Sequence, residues 1–504
     1  MRPHHLDLSS RPSTRTTRPH RSGAPRRRPG FLVALTALVA TSAAALPIGT
    51  AWAGPAATSG AGAPAGTVAP QGDLAQVART IGADVAHARG LTGAGVDIAV
   101  IDTGISPVAG LDAPGKVVNG PDLSFDAGDD RLRHLDGYGH GTHMAAIIAG
   151  STADGSFRGI APGARLVNVK VGDNTGAVDV SQVIAALDWI VEHRTDNGLN
   201  IRVVNLSFGT DGVQPSAVDP LARAVERAWF AGIVVVVASG NDGRALTGMA
   251  TPATDPFVLT VGPAEQVGAT WAIPSFASNG NGLRNPDVVA PGRSIESLRV
   301  PGSRLDVEFP DARVGEHLFR GSGSSQAAAV VSGAVALVLE QSPRLTPDQV
   351  KQVLRASADS LKRQPVTQQG QGMLDVDDAL GRRPTLFARQ LHLPSTGLGL
   401  LHLSRGLDTV VVAGIALVGE QTFTGQRWNG PSWVRATLRG TTWSGGSWSG
   451  GSWSGGSWSG GSWSGGSWSG GSWSGGSWSG GSWSGGSWSG GSWSGGSWSG
   501  GSWS

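Results

Sequence analysis

Four short apolar runs constrain this chain most: Val96-Asp97-Ile98-Ala99-Val100-Ile101, Ala164 to Val171, Ile201 to Leu206, and Ile233 to Ala238. Each is rich in β-branched residues and bounded by Gly, Asp or Asn. Runs of this kind suit strands buried on both faces, as in a parallel sheet. Between and after them lie amphipathic stretches that predict helices over Gly141 to Ala149, Ser181 to Arg194 and Pro220 to Ala231. Thr346-Pro347-Asp348 supplies an N-cap, a proline at the first helical position and an acid in the first turn, opening a helix to about Ala358. The alternation predicts an α/β fold, a three-layer sandwich with a mainly parallel central sheet. In such folds chemistry gathers at the carboxyl ends of the strands.

The residues at those ends carry reactive side chains. The first run ends in Asp102-Thr103-Gly104. Asp136-Gly137-Tyr138-Gly139-His140-Gly141-Thr142-His143 opens a helix, and Gly323-Ser324-Ser325 opens the Ala- and Val-rich helix from Gln326 to Glu340. A serine hydroxyl is a weak nucleophile unless a neutral imidazole accepts its proton, and the imidazole in turn needs an acid to orient it. An acid, a histidine and a serine in that chain order match one known arrangement of such groups.

On these residues the chain resembles the subtilisin-like (subtilase) serine peptidases, from about Ile81 to Leu380. Ala99 to Ile105 resembles the family's Asp block, Gly139 to His143 its His block, and Val203 to Gly209 its substrate-binding strand. Ala238-Ser239-Gly240-Asn241-Asp242-Gly243 is similar to the loop carrying the oxyanion Asn, and Pro286 to Gly292 to the segment upstream of the nucleophile. The resemblance implies a serine endopeptidase that hydrolyses peptide bonds through an acyl-enzyme intermediate. Asp102, His140 and Ser325 would be its catalytic residues. The Asn241 amide and the Ser325 backbone N–H would form its oxyanion hole. Ser207, Phe208, Gly209, Ser239 and Gly240 would bind an extended substrate by strand addition, with Phe208 as an apolar subsite wall. An extracellular binding or scaffold protein that keeps the peptidase fold with little turnover is the alternative.

The nucleophile block departs from the family's usual Gly-Thr-Ser-Met-Ala-Ala-Pro-His-Val: here Gly323-Ser324-Ser325-Gln326-Ala327-Ala328-Ala329-Val330-Val331 stands in its place. Ser324 keeps the hydroxyl of the usual Thr, and Gln326 brings an amide beside the nucleophile. No cofactor and no metal are expected. Asp126, Asp129 and Asp130 read as a solvated acidic turn rather than a Ca²⁺ site, and His134, His140 and His143 lack the neighbouring Glu of a His-Glu-x-x-His zinc helix. His143 is expected to be structural.

The flanks differ in kind. Residues 1–53 hold eight Arg and one Asp, then the apolar run from Phe31 and Ala51-Trp52-Ala53, the order of a secretory signal peptide. The rest of the chain carries 31 basic and 36 acidic residues, so the high pI of about 9.4 belongs to the leader and implies no nucleic-acid surface. A secreted, extracellular location follows, with no membrane span after signal cleavage. Residues 54–80 read as a flexible spacer too short for a full pro-domain, 81–384 as the peptidase domain, and 385–442 as an unassigned, strand-rich appendage. Within the appendage, Leu393-Pro394-Ser395-Thr396-Gly397 matches a sortase signal by letter, but more than a hundred residues follow it. Residues 443–504 repeat Trp-Ser-Gly-Gly-Ser and hold thirteen of the 19 Trp with no charge. Gly and Ser build no core, so the tail reads as a neutral linker. Its evenly spaced Trp also suit weak, multivalent stacking on cell-wall polysaccharide.

Overall fold

The run that ends at Asp102 becomes the strand around which the sheet is organised. The structure is a computed structural model that describes residues 72–243, 248–385, 388–406, 409–412, 415–444, 447–448 and the Trp-Ser pairs from Trp463–Ser464 to Trp498–Ser499. The leader, most of the spacer and the glycines between the later Trp-Ser pairs lie outside the described residues.

In chain order the structure opens with helices α1 (Leu74–Thr80) and α2 (Ala83–Ala88), then strands β1 (Asp97–Asp102) and β2 (Val117–Asp122). Helix α3 (His140–Ala149), β3 (Arg165–Lys170), α4 (Val180–His193), β4 (Ile201–Leu206), α5 (Pro220–Phe230) and β5 (Val234–Ala238) follow. The four apolar runs are thus β1, β3, β4 and β5. Strands β6 (Leu259–Val267), β7 (Thr270–Ala272) and β8 (Val288–Pro291) complete an eight-stranded sheet in the order β2-β3-β1-β4-β5-β6-β7, with β8 also on β6. Every pairing in it is parallel except β6 with β7. Strand order reverses around β1, whose neighbours are β3 and β4. A crevice opens at such a switch point, beyond the carboxyl ends of the strands.

A small three-stranded sheet, β9 (Ile295–Leu298), β10 (Arg313–Val314) and β11 (Leu318–Gly321), flanks the short helix α6 (Arg304–Glu308). The buried helix α7 (Ser324–Gln341) then packs on β4, β5, β6 and α3, while α4 packs on α5. Helix α8 (Pro347–Ser357) starts at Thr346, whose hydroxyl accepts the Gln349 N–H while the Gln349 side chain accepts the Thr346 N–H. That is a reciprocal cap. Helices α9 (Val366–Gln369) and α10 (Val376–Gly381) close the domain.

Two boundaries differ from the sequence reading. Residues 74–80, assigned to the spacer, form α1, because Leu74, Val77, Ala78 and Ile81 fall on one helical face and are buried against the core. The second difference lies at the other end. Residues 388–442 form a strap held on α4 and α5 rather than a strand-rich appendage. It contains helices α11 (Leu401–Arg405) and α12 (Gly430–Arg439) and one short strand pair, β12 (Val411–Val412) with β13 (Ile415–Ala416). Trp433 is fully buried, and its indole N–H donates to Asp188 of α4 at 2.7 Å. Leu401 and Trp428 join the main core. The sortase-like letters are structural: Ser395 is buried, and its N–H donates to both carboxyl oxygens of Glu226. In the tail, Trp-Ser pairs form two-residue parallel strands at a spacing of four pentads, Trp463 on Trp483 through Trp478 on Trp498.

Candidate active site

Asp102 is the last residue of β1 and is 1% exposed. Its Oδ1 accepts the Thr103 N–H at 2.8 Å and lies 2.8 Å from His140 Nδ1. Its Oδ2 has no hydrogen-bond partner among the described residues. His140 is held in place by its own helix start. The N–H of Gly141 donates to the Thr103 hydroxyl, which donates to Asp136, and Asp136 also accepts the Gly139 and Thr142 N–H groups. A buried carboxylate at the positive end of a helix thereby fixes the entry of α3 against the end of β1. Sequence alone gives Thr103 and Asp136 no role; the signal that points to them is their position beside Asp102 and four residues before His140.

Burial disfavours the His140 cation, but the Asp102 charge, its hydrogen bond and the Asp136 charge outweigh that, so its pKa lies above the ordinary histidine value. His143 behaves oppositely. Buried, with neither ring nitrogen hydrogen-bonded among the described residues, it is pushed down to about 3 by desolvation and by His140. It packs edge-on to Phe319, consistent with a structural part.

Ser325 is the second residue of α7, 9% exposed, and its carbonyl meets Ser207 just past the carboxyl end of β4. Its neighbours tie three segments together. The Ser324 N–H donates to Asn241 Oδ1 at 2.8 Å, and the Ser324 hydroxyl accepts the Gly240 N–H at 3.1 Å. With Oδ1 so engaged, Asn241 turns its amide nitrogen toward Gly323, 3.2 Å from where a Cβ on that residue would sit. The amide donor is therefore pinned beside the start of α7. The Gln326 amide folds back along Gly321 and Gly323, where a Cβ would come within 2.5 and 2.9 Å of it. The Gln thus occupies space that those two glycines leave.

Of the five residues expected to bind substrate, Ser207 touches the nucleophile helix and Gly209 lies against Ala250. The Ser207 hydroxyl accepts from the Asn205 amide at 3.0 Å and donates to the Ser325 carbonyl at 3.4 Å, and Gly209 leaves room for Ala250. Phe208 differs from expectation: its ring is 1% exposed and belongs to the main core, so it does not wall an open subsite. The hydrophobic drive to bury the ring in the core overrides that role. Ser239 is fully buried and uses its N–H on Val261 and its carbonyl on Ala250, while the Gly240 carbonyl accepts the Ser278 N–H. The backbone groups of both residues are thus occupied internally, while the buried Ser239 hydroxyl has no hydrogen-bond partner among the described residues.

The acidic turn is neutralised from within. Asp126 pairs with buried Lys170 at 3.2 Å, Asp129 with Arg131 at 2.7 Å, and Asp130 with Arg133 at 2.6 Å. Among the described residues no group of three or more His, Asp or Glu side chains is arranged to hold a metal ion.

Comparison with known proteins identifies the family. The family model described as the subtilase family, Peptidase S8, matches residues 93–373. Serine protease AprX of Bacillus subtilis (strain 168) is 36% identical over 308 residues, which cover 59% of this chain and 68% of that protein. Subtilisin Savinase of Lederbergia lenta is 36% identical over 279 residues, 55% of this chain and 89% of that protein. Among solved structures, fervidolysin from Fervidobacterium pennivorans, a keratinolytic enzyme related to subtilisin, superposes with a TM-score of 0.51 at 24% identity, covering 63% of this chain and 47% of that one. The last likeness shows the fold; the family match and the sequence relatives carry the rest. The chain belongs to the subtilase family and is a serine endopeptidase of the subtilisin type.

Proposed function

We propose that the chain is a secreted endopeptidase that cleaves peptide bonds through Asp102, His140 and Ser325 by way of an acyl-enzyme. The observation that carries this reading is the buried Asp102–His140 hydrogen bond at the carboxyl end of β1, with Ser325 starting the helix that packs over the same sheet. In the proposed reaction the Ser325 hydroxyl attacks the scissile carbonyl carbon while the neutral imidazole of His140 takes its proton. Asp102 keeps His140 in the tautomer that carries its proton on Nδ1 and stabilises the cation that forms. The carbonyl oxygen becomes an oxyanion, received by the Asn241 amide and the Ser325 backbone N–H. Collapse expels the amine, protonated by His140, and leaves the acyl group on Ser325. Water then attacks with the same base, releasing the acid and restoring the serine.

Secretion rests on the Arg-rich, then apolar, then small-residue order of residues 1–53. Among the described residues no helix is long and apolar enough to cross a membrane. The Trp repeat is proposed to add weak contacts to cell-wall polysaccharide, and retention of the isolated repeat on purified wall material tests that separately. For the activity, a fluorophosphonate probe is the direct test. Wild type is expected to label on Ser325, and equal labelling of Ser325→Ala would reject the assignment.

A further inference from the structure

The strap at residues 388–442 reaches the loops that leave β3 and β4, the two neighbours of β1. Ser404 and Arg405, adjacent in α11, each hold one of them. On the β4 side, the loop continues directly from Ser207-Phe208-Gly209. There the Thr210 hydroxyl donates to the Ser404 carbonyl, the Val213 N–H donates to the Leu403 carbonyl at 3.0 Å, and the Gln214 amide donates to the Ser404 hydroxyl at 2.9 Å. The approach is close enough that a Cβ on Gly406, which sits at φ +68°, would lie 2.1 Å from the Asp211 carbonyl oxygen.

On the β3 side, Arg405 is 2% exposed, and its guanidinium forks onto Asp179, with Nε 2.5 Å and Nη2 3.2 Å from the carboxylate oxygens. Nη1 and Nη2 also donate to the Gly419 and Gln421 carbonyls. Asp179 is the N-cap of α4, accepting the Ser181 N–H, and the Ser181 hydroxyl accepts the Phe423 N–H at 2.8 Å. The loop just before this cap runs beside the His140 segment: a Cβ on Gly176 would lie 2.8 Å from the Tyr138 ring. One buried dipeptide therefore spans from the end of the expected substrate strand to the loop that borders the histidine.

We propose that Arg405, together with Ser404, is a positioning residue for peptide substrate: it sets the separation of the loops that leave β3 and β4, and with it the place where the acyl side of an extended peptide pairs with Ser207 to Gly209. The proposal rests on the reading that Ser207 to Gly209 pair with substrate. A buried, bidentate guanidinium suits this task because its planar fork fixes both distance and direction, which a point charge does not. Small misplacements of a binding surface far from the reacting atoms lower turnover of substrates that use that surface and spare those that do not.

The test uses the full chain with Arg405→Met and Arg405→Lys, and a series of peptide nitroanilides lengthened one residue at a time on the acyl side of the same leaving group. For Arg405→Met, kcat/KM is expected to fall about tenfold on the longest peptide and to stay near wild type on the single-residue substrate, with Arg405→Lys in between. An equal loss on short and long substrates, or no loss on the longest, overturns the proposal. Should Arg405→Met fail to fold, Thr210→Val, which removes only the hydroxyl donor to Ser404, is read by the same length dependence. Fluorophosphonate labelling of Ser325 separates the two levels. A wild type that does not label there defeats the catalytic reading itself, whereas variants that label normally but keep the wild-type length preference defeat only the role of the strap.

Discussion

The Nδ1 of His140 lies 2.8 Å from Oδ1 of Asp102, a buried carboxylate whose other oxygen has no hydrogen-bond partner among the described residues. The charge therefore acts mainly on one ring nitrogen, and it holds the imidazole pKa up against burial. If His140 is the base, kcat/KM rises with pH as the ring loses its proton, with a midpoint above about 6.5. Asp102→Asn removes the charge that raises the midpoint, so the midpoint falls. The same variant lowers the rate by about 10⁴-fold, the scale seen when a serine peptidase loses this carboxylate. A pH–rate profile of both proteins on one peptide checks the direction; a midpoint that does not move separates His140 from the reaction.

Asn241 gives a second expectation. Its Oδ1 is held by the Ser324 N–H, so Asn241→Asp keeps an acceptor there but loses the amide donor, and Asn241→Ala loses both. Each is expected to lower kcat by about a hundredfold to a thousandfold with KM nearly unchanged, a scale that subtilisin itself sets for loss of one such donor. Steady-state kinetics resolve the two parameters, and a loss confined to KM would assign Asn241 to ground-state binding.

Acid stability is set in part by His143. Its pKa is about 3 in the folded chain and about 6.5 when unfolded, so between those values the unfolded chain binds the extra proton. Stability contributed by the neutral ring is present above about pH 6.5 and is lost as pH falls toward 3. A His143→Gln variant, which cannot take up that proton, is expected to lose less stability across this window than wild type. Urea midpoints measured at several pH values make the comparison, and parallel curves would exclude His143 as the source.

The strap also stabilises the domain. Trp433→Ala empties a fully buried site and removes a donor from Asp188, at an expected cost of about 3 to 5 kcal/mol. Trp433→Phe fills most of the volume and loses the hydrogen bond, about 1 to 3 kcal/mol. Denaturant midpoints of the two variants separate packing from the polar contact. Equal, small effects would mean that the strap is held elsewhere.

Much of this protein was written locally. The four apolar runs are strands because short, β-branched segments pack well when buried inside a sheet, and Thr346 and Asp102 stand where cap and strand-end chemistry put them. Asp102, His140 and Ser325 could be named in order because each lies in a compact motif. Tertiary structure decided what such motifs do not encode. Phe208, read as a subsite wall, went into the core because apolar burial outweighed exposure in the cleft. Ser395, in letters that match a sorting signal, became a buried partner of Glu226, and Arg405 became the partner of Asp179 more than two hundred residues away. No period or local pattern announces such pairs. They form only when folding brings two distant segments together and buried polar groups must be satisfied by whatever donors and acceptors meet there.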